Sequence, residues 1–207
     1  MASRGRPTPR LPAEVEATPR SPLRPQMVMK ALSDLMADDA IISLDCGANT
    51  HFAARHLMLR PNQRLTGTGM MASMAPGLPF AIAAQLAFPS RQSVAVAGDG
   101  GFAMLMAEMT TAVAYNLPVK IIVLKNNSLA EVKFEQIGLG NPSYGCDLAP
   151  IDFVAFARAC GADGFRCERP DEGARPSRRR SNRQGLRSSE AMVDPEEKPT
   201  DPEELRV

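Results

Sequence analysis

The stretch "VAVAGDGGFAMLMAE", Val94 to Glu108, sets one carboxylate, Asp99, among three glycines, Gly98, Gly100 and Gly101. A Val-rich apolar run ends there and a helix-forming run begins. Backbone N–H groups at the start of a helix, left bare by glycines, attract an anion. A carboxylate in the same turn would repel that anion unless a cation stood between them. A second oxygen donor follows 27 positions later: Asn126, in "KNNS", closes the apolar run "VKIIVLK". A carboxylate oxygen, an amide oxygen and a backbone carbonyl form the hard donor set that Mg²⁺ takes, with phosphate oxygens and water completing its octahedron. Together these features describe a metal–diphosphate site. Alone, GDG is a common turn and KNNS a loop, and the third glycine of a GxGxxG dinucleotide fingerprint is missing. The specific signal is the order strand, GDG, helix, strand, NN, with 25 residues between Gly100 and Asn126.

Such residues meet only if the elements between them bring two strand ends to one rim. Strands are expected at 40–45, 93–97 and 119–125, and a further one at "GFRCE". Helices are expected at 26–36, with Val28, Leu32, Leu35 and Met36 on one face, at "HFAARHLM", at 77–88 with Ile82 and Leu86 one turn apart, and at 102–116. Another opens at Asp152, its N-cap, and stops at Gly161. Strands separated by helices imply parallel βαβ units, and their near-continuous apolar character implies a sheet covered on both faces. The expected class is therefore α/β. A right-handed crossover from Asp99 to Asn126 places both at the carboxyl rim, beside "CGANT" after the first strand.

The 207 residues, 44% hydrophobic and 23% charged, suit one domain with a real core. Net charge is +1, so overall electrostatics name no partner. No run of 18 apolar residues exists, so no membrane span is expected. The N-terminus lacks the apolar segment of a secretory signal, and Glu14 and Glu16 argue against a transit peptide. Cys46, Cys146, Cys160 and Cys167 show no CxxC spacing and read as reduced thiols of a cytoplasmic protein. His51 and His56 lack the i, i+4 spacing of paired helical ligands and read as helix-surface residues. Residues 1–25, with six prolines and five arginines, read as a flexible arm; 26–170 hold the periodic pattern. Residues 171–207 read as an irregular tail, Arg/Ser-rich and then acidic. The Arg-rich segments lack aromatics and are opposed by the acidic end, which disfavours nucleic-acid binding.

The GDG–NN spacing resembles the thiamine diphosphate motif. The wider stretch "GMMASMAPGLPFAIAAQLAFPSRQSVAVAGDGGF" is similar to the diphosphate-binding domain of the pyruvate oxidase and acetolactate synthase family. The resemblance covers roughly residues 22–170 and implies the thiamine diphosphate-binding fold. It also implies that Asp99, Asn126 and the Ser128 carbonyl hold Mg²⁺ and that Gly98, Gly100 and Gly101 form the diphosphate turn. Met74 falls where the family places an apolar side chain that bends the cofactor, and the Ala72 and Met74 carbonyls where it contacts the aminopyrimidine. Asn49, in "GANT", falls on a phosphate-contacting loop, although Ala48 and Asn49 depart from the residues common there. In "NNSLAEVKFEQ", closest to the pyruvate oxidase branch, Glu135 aligns with an active-site glutamate and Val132 with an apolar residue near the substrate. For Glu135 the residues alone read equally as a solvated helix charge. Lys125 replaces the usual asparagine before the metal-binding one.

The family activity implied is decarboxylation of a 2-oxo acid. It requires a pyrimidine-binding domain whose glutamate activates the cofactor, and neither that domain nor a central one fits in residues 1–25. The expectation is therefore half an active site, completed by a partner domain or subunit in a dimer or tetramer. The alternative is a truncated, non-catalytic remnant. "GARPSRRRSNRQGLRSS" has no apolar face, whereas "EAMVDPEEKP" again resembles the family's ending, so a compensated frameshift across about 173–189 is expected, against a genuine basic linker.

Overall fold

Six short strands pair edge to edge, all parallel, in the order β2-β1-β3-β4-β6-β5. The computed structural model describes residues 21–168 and 185–199. In chain order the elements are α1 (Pro25–Leu35), β1 (Ile41–Leu44), α2 (Ala48–His56), β2 (Arg64–Thr66) and α3 (Gly77–Ala87). There follow β3 (Ser93–Gly98), α4 (Asp99–Leu105), α5 (Met109–Ala114), β4 (Lys120–Lys125), α6 (Ala130–Gly138), α7 (Phe153–Ala159), β5 (Asp163–Cys167) and β6 (Arg187–Met192). This is the α/β architecture expected, a parallel sheet with helices on both faces.

The alternation of side chains along β3 shows why both faces need cover. Val94 and Val96 enter one apolar cluster with Met29 of α1 and Phe52 and Ala53 of α2. Ala95 and Ala97 enter the other, with Leu78 and Ala81 of α3, Phe102 of α4, Met109 of α5 and Phe153 of α7. Phe102 and Phe153 meet edge to face with ring centroids 5.2 Å apart. Burying each such side chain contributes about 1.5–3 kcal/mol.

Two helix faces differ from the periodic reading. Leu35 and Leu86 point to solvent, while Met29, Ser33 and Gln85 are buried. The polar residues are tolerated inside because each is bonded: Ser33 Oγ donates to the Met29 carbonyl at 2.8 Å and accepts from the Met58 N–H at 2.9 Å. Gln85 Nε2 donates to the carbonyls of Pro89 and Arg91. The segment expected as one helix over 102–116 is α4, a 3₁₀ turn at Met106–Glu108, and α5. The Thr110 hydroxyl bonds back to the Ala107 carbonyl there, a local bond that competes with a continuous helix, and the Thr111 hydroxyl donates to the Glu108 carboxylate. Asp152 caps α7 as expected, accepting from Ala155 N–H at 2.8 Å, and Gly161 takes φ +85° just beyond it.

The larger departure is β6. The tail read as irregular over 171–207 contributes, at Arg187–Met192, a strand inside the sheet between β4 and β5. Its inward positions include Ser188 and Glu190, both buried, so an apolar pattern does not mark it. Within the 1–25 arm, Leu23 is buried and bridges Val193 just after β6. Residues 1–20, 169–184 and 200–207, which carry most of the expected arm, frameshift segment and tail, lie outside the described residues. His56, read as a surface residue, is buried.

Candidate cofactor site

The sheet order reverses between β1 and β3: the chain leaves β1 for β2 on one side and β3 for β4 on the other. Ligands of parallel sheets bind beyond the carboxyl ends at such a switch point. A cleft opens there, lined by Gly47 and Asn49 after β1, Gly98 at the end of β3 and Asp99 to Gly101 after it, Asn126 and Ser128 after β4, and Met74.

At its floor the two turns are bonded to each other. Asp99 Oδ2 accepts from the backbone N–H groups of Asn127 at 2.6 Å and Asn126 at 3.1 Å, and Oδ1 accepts from Gly100 N–H at 3.0 Å. Asn126 Oδ1 accepts from Ser128 N–H at 3.0 Å. Burial pushes the Asp99 carboxyl above its usual range, and these same N–H groups oppose that shift. A carboxylate has about four lone-pair sites. Three are used, which leaves one on Oδ1; Asn126 Oδ1 also keeps one.

Space is tight at two of these glycines. A Cβ on Gly100 would stand 2.8 Å from Leu129 Cδ2 and 3.7 Å from Met74 Cε; one on Gly101 would stand 2.7 Å from Asp45 Oδ1. Ala72 and Ala75, on either side of Met74, take φ of +46° and +80°, so this turn is strained.

Of the residues singled out in the sequence, Asn49, Met74, Gly98, Asp99, Gly100, Gly101, Asn126 and Ser128 line the cleft, as does Val132. Ala72 is exposed outside that lining, and Glu135 is exposed on α6. The Asn49 amide is already committed, its Nδ2 donating to the carbonyls of Asp45 at 2.9 Å and Val96 at 3.4 Å, so it fastens strand ends and has no N–H to spare. Lys125 turns to the opposite face, donating to the Ile151 carbonyl and pairing with buried Glu190 at 3.4 Å.

Two residues at the site lie outside the GDG–NN pattern. Asp45, just past β1, is buried against Gly101. Glu131 lines the cleft mouth, where its Oε1 meets His51 Nε2 at 3.1 Å. An acid next to the "CGANT" turn was the available signal for the first; nothing in the sequence pairs the second. Burial, with the neighbouring Asp45 charge, pushes the Cys46 thiol up, so it is a poor nucleophile. Among the described residues no three His, Cys, Asp or Glu side chains form a metal cluster, and no helix is long and apolar enough to cross a membrane.

The sequence model of the C-terminal TPP binding domain of thiamine pyrophosphate enzymes matches residues 45–185. The chain belongs to the thiamine pyrophosphate enzyme family. It is 43% identical over 159 residues to YdaP of Bacillus subtilis, named as a thiamine pyrophosphate-containing protein, a match covering 77% of this chain and 27% of that one. It is 35% identical over 161 residues to pyruvate oxidase of Lactiplantibacillus plantarum, covering 77% and 27%. It is 37% identical over 145 residues to the acetolactate synthase large subunit of Parasynechococcus marenigrum, covering 69% and 23%. The chain thus spans about a quarter of the length of these relatives. The thiamine pyrophosphate-binding domain of the family is the unit seen here, and Asp99, Asn126 and Ser128 lie within the matched residues, while Pro25, Val193, Asp194 and Glu197 of the cleft lining lie outside them.

Proposed function

We propose that this chain holds the diphosphate of thiamine diphosphate through Mg²⁺, as the diphosphate-binding half of a pyruvate-type 2-oxo acid oxidase or synthase. A pyrimidine-binding domain completes the site. The observation that carries the reading is the meeting of Asp99 with the Asn126–Ser128 turn, 27 positions apart, at the carboxyl rim of adjacent parallel strands.

The residues fit the group. Asp99 Oδ1 and Asn126 Oδ1 each keep a lone pair, and with the Ser128 carbonyl they are an all-oxygen set suited to Mg²⁺. A dication beside Asp99 would also favour the ionised carboxylate that burial disfavours. Gly100 and Gly101 open α4 and line the cleft beside Asp99, where the backbone N–H groups of a helix start suit a diphosphate. When bound, the cofactor supplies a nucleophilic carbon that adds to a 2-oxo acid carbonyl and an electron sink for the loss of CO₂. This chain's part would be to fix the diphosphate end, to present Met74 to the part of the cofactor beyond it, and to wall the cleft with Val132. Glu135, exposed on α6, is the group we give an active-site role opposite the partner domain.

Calorimetric titration of thiamine diphosphate in Mg²⁺ or in chelator tests the reading. The expected result is metal-dependent binding by the wild type, tightened by a pyrimidine-domain partner and abolished in Asp99→Ala. Binding that is metal-independent, or equal in Asp99→Ala, overturns it.

A further inference from the structure

Asp45 directly follows β1 and is 2% exposed. Its backbone N–H donates to the Val96 carbonyl at 2.9 Å, which fixes it to β3. Its side chain then reaches under two of the turns that build the cleft. Oδ1 accepts from Ala75 N–H at 2.7 Å and from Cys46 N–H at 2.7 Å. The whole carboxylate lies 2.7–2.9 Å from where a Cβ on Gly101 would stand, and Asp45 Cβ lies 3.2 Å from the same point on Gly77. One buried acid therefore touches the diphosphate turn at Gly101 and the chain that leaves Met74, at Ala75 and Gly77.

The Met74 turn needs such a hold. Ala72 and Ala75 both sit in the left-handed region without being glycine, a conformation that persists only when the surroundings impose it. The other side-chain bonds in this turn, Thr68 Oγ1 to the Ser73 carbonyl at 3.2 Å and Ser73 Oγ to the Met74 carbonyl at 3.3 Å, are long and exposed. The Ala75–Asp45 bond is short and buried. It anchors the residue next to Met74, whose Cε stands 3.7 Å from the Cβ position of Gly100.

We propose that Asp45 is a positioning residue: its carboxylate sets the place of the Met74 side chain relative to the Gly100–Gly101 turn, and so the fit of the part of the cofactor beyond its diphosphate. This rests on the reading of the cleft as a thiamine diphosphate site. Asp45 touches no cofactor atom in this scheme. It acts through Ala75, while the metal set at Asp99 and Asn126 does not depend on it.

Two probes separate this role from a merely structural one. Magnesium pyrophosphate reports the diphosphate turn and metal set alone; thiamine diphosphate with Mg²⁺ reports those plus the Met74 turn. Asp45→Ala is expected to weaken thiamine diphosphate about tenfold or more while leaving magnesium pyrophosphate as in the wild type. Asp45→Asn, whose amide oxygen still accepts from Ala75 and Cys46, should restore most of the loss, and it keeps the test open if Asp45→Ala does not fold. The methyl resonance of Met74 should shift in Asp45→Ala without any ligand and return toward wild type in Asp45→Asn. An unmoved Met74 methyl, or equal weakening of both probes in a folded variant, overturns the positioning role. A wild type that binds neither probe overturns the cofactor reading, and with it any cofactor role for Asp45.

Discussion

Asp99 Oδ2 accepts the Asn127 N–H at 2.6 Å, which fastens the turn after β4 to the turn after β3. Asn127 itself takes φ +55°, a conformation this bond helps to hold. Removing the carboxylate strands the N–H groups of Gly100, Asn126 and Asn127 together. Asp99→Ala should therefore destabilise the ligand-free protein by about 1–3 kcal/mol, measured by urea unfolding. Asp99→Asn keeps an oxygen acceptor and should lose less. Neither variant should show the rise in melting temperature that thiamine diphosphate with Mg²⁺ gives a protein that binds it in the native state.

The glycines of the chain are unequal, and substitution should show it. A Cβ at Gly101 meets the Asp45 carboxylate at 2.7–2.9 Å, and Asp45 is held by two backbone bonds, so it has nowhere to move. Gly101→Ala should cost about 1–3 kcal/mol. At Gly138, the last residue of α6, nothing lies within 4 Å. Gly138→Ala should be neutral or stabilising by up to about 1 kcal/mol, because alanine loses less conformational entropy in a helix. Thermal or urea unfolding of the pair checks both; equal effects would refute the close packing at Gly101.

What the sequence made legible follows from which forces act locally. The meeting of Asp99 with Asn126 was readable because a right-handed crossover between adjacent parallel strands brings their carboxyl ends to one rim. The strands β1, β3 and β4 were readable because burial on both faces demands continuous apolar runs. β6 was not, since Arg187, Ser188, Ser189 and Glu190 are polar, and Glu190 is tolerated inside only through Lys125, Arg166 and the Phe153 N–H. Those partners come from β4, β5 and α7, which no local pattern brings together. Asn49 was read by its place in the chain, but its amide turns out to serve two strand-end carbonyls. Gln85 shows the same limit: an amide whose Nε2 donates to a nearby loop takes the inward position in place of Leu86.

The His51–Glu131 pair at the cleft mouth should make a pH-dependent contribution. Its bond to Glu131 raises the His51 pKa above the ordinary value, partial burial and Arg55 oppose this, and Glu135 adds to it weakly. A histidine raised in the folded state contributes stability below its unfolded pKa and loses it as pH rises through the folded value. The difference in melting temperature between wild type and His51→Gln should therefore be larger at pH 6 than at pH 8. Because His51 is half exposed, the difference should also shrink in high salt. A gap that is constant with pH would show that the pair does not stabilise the charged imidazole.

The most severe loss of stability should come from the far face of β4. Glu190 is 1% exposed and receives Lys125 Nζ at 3.4 Å, Arg166 Nε at 3.2 Å and the Phe153 N–H at 3.1 Å. Lys125 is buried as well, and its remaining partner is the Ile151 carbonyl. Truncating Glu190 to alanine leaves that ammonium without a counter-charge and the first N–H of α7 without an acceptor. Breaking a buried pair from one side costs about 3–5 kcal/mol, and burial keeps that cost nearly independent of salt. Changing both partners behaves differently. In Lys125→Met with Glu190→Gln, the thioether fills the ammonium's space beside Phe153, and the amide oxygen still accepts from the Phe153 N–H. The double variant should recover most of the stability lost in Glu190→Ala. Urea unfolding of the single and double variants measures this, and losses that simply add would show that the two residues are not coupled. Lys125 also directly precedes Asn126, so the recovered variant should regain Mg²⁺-dependent cofactor binding along with its stability.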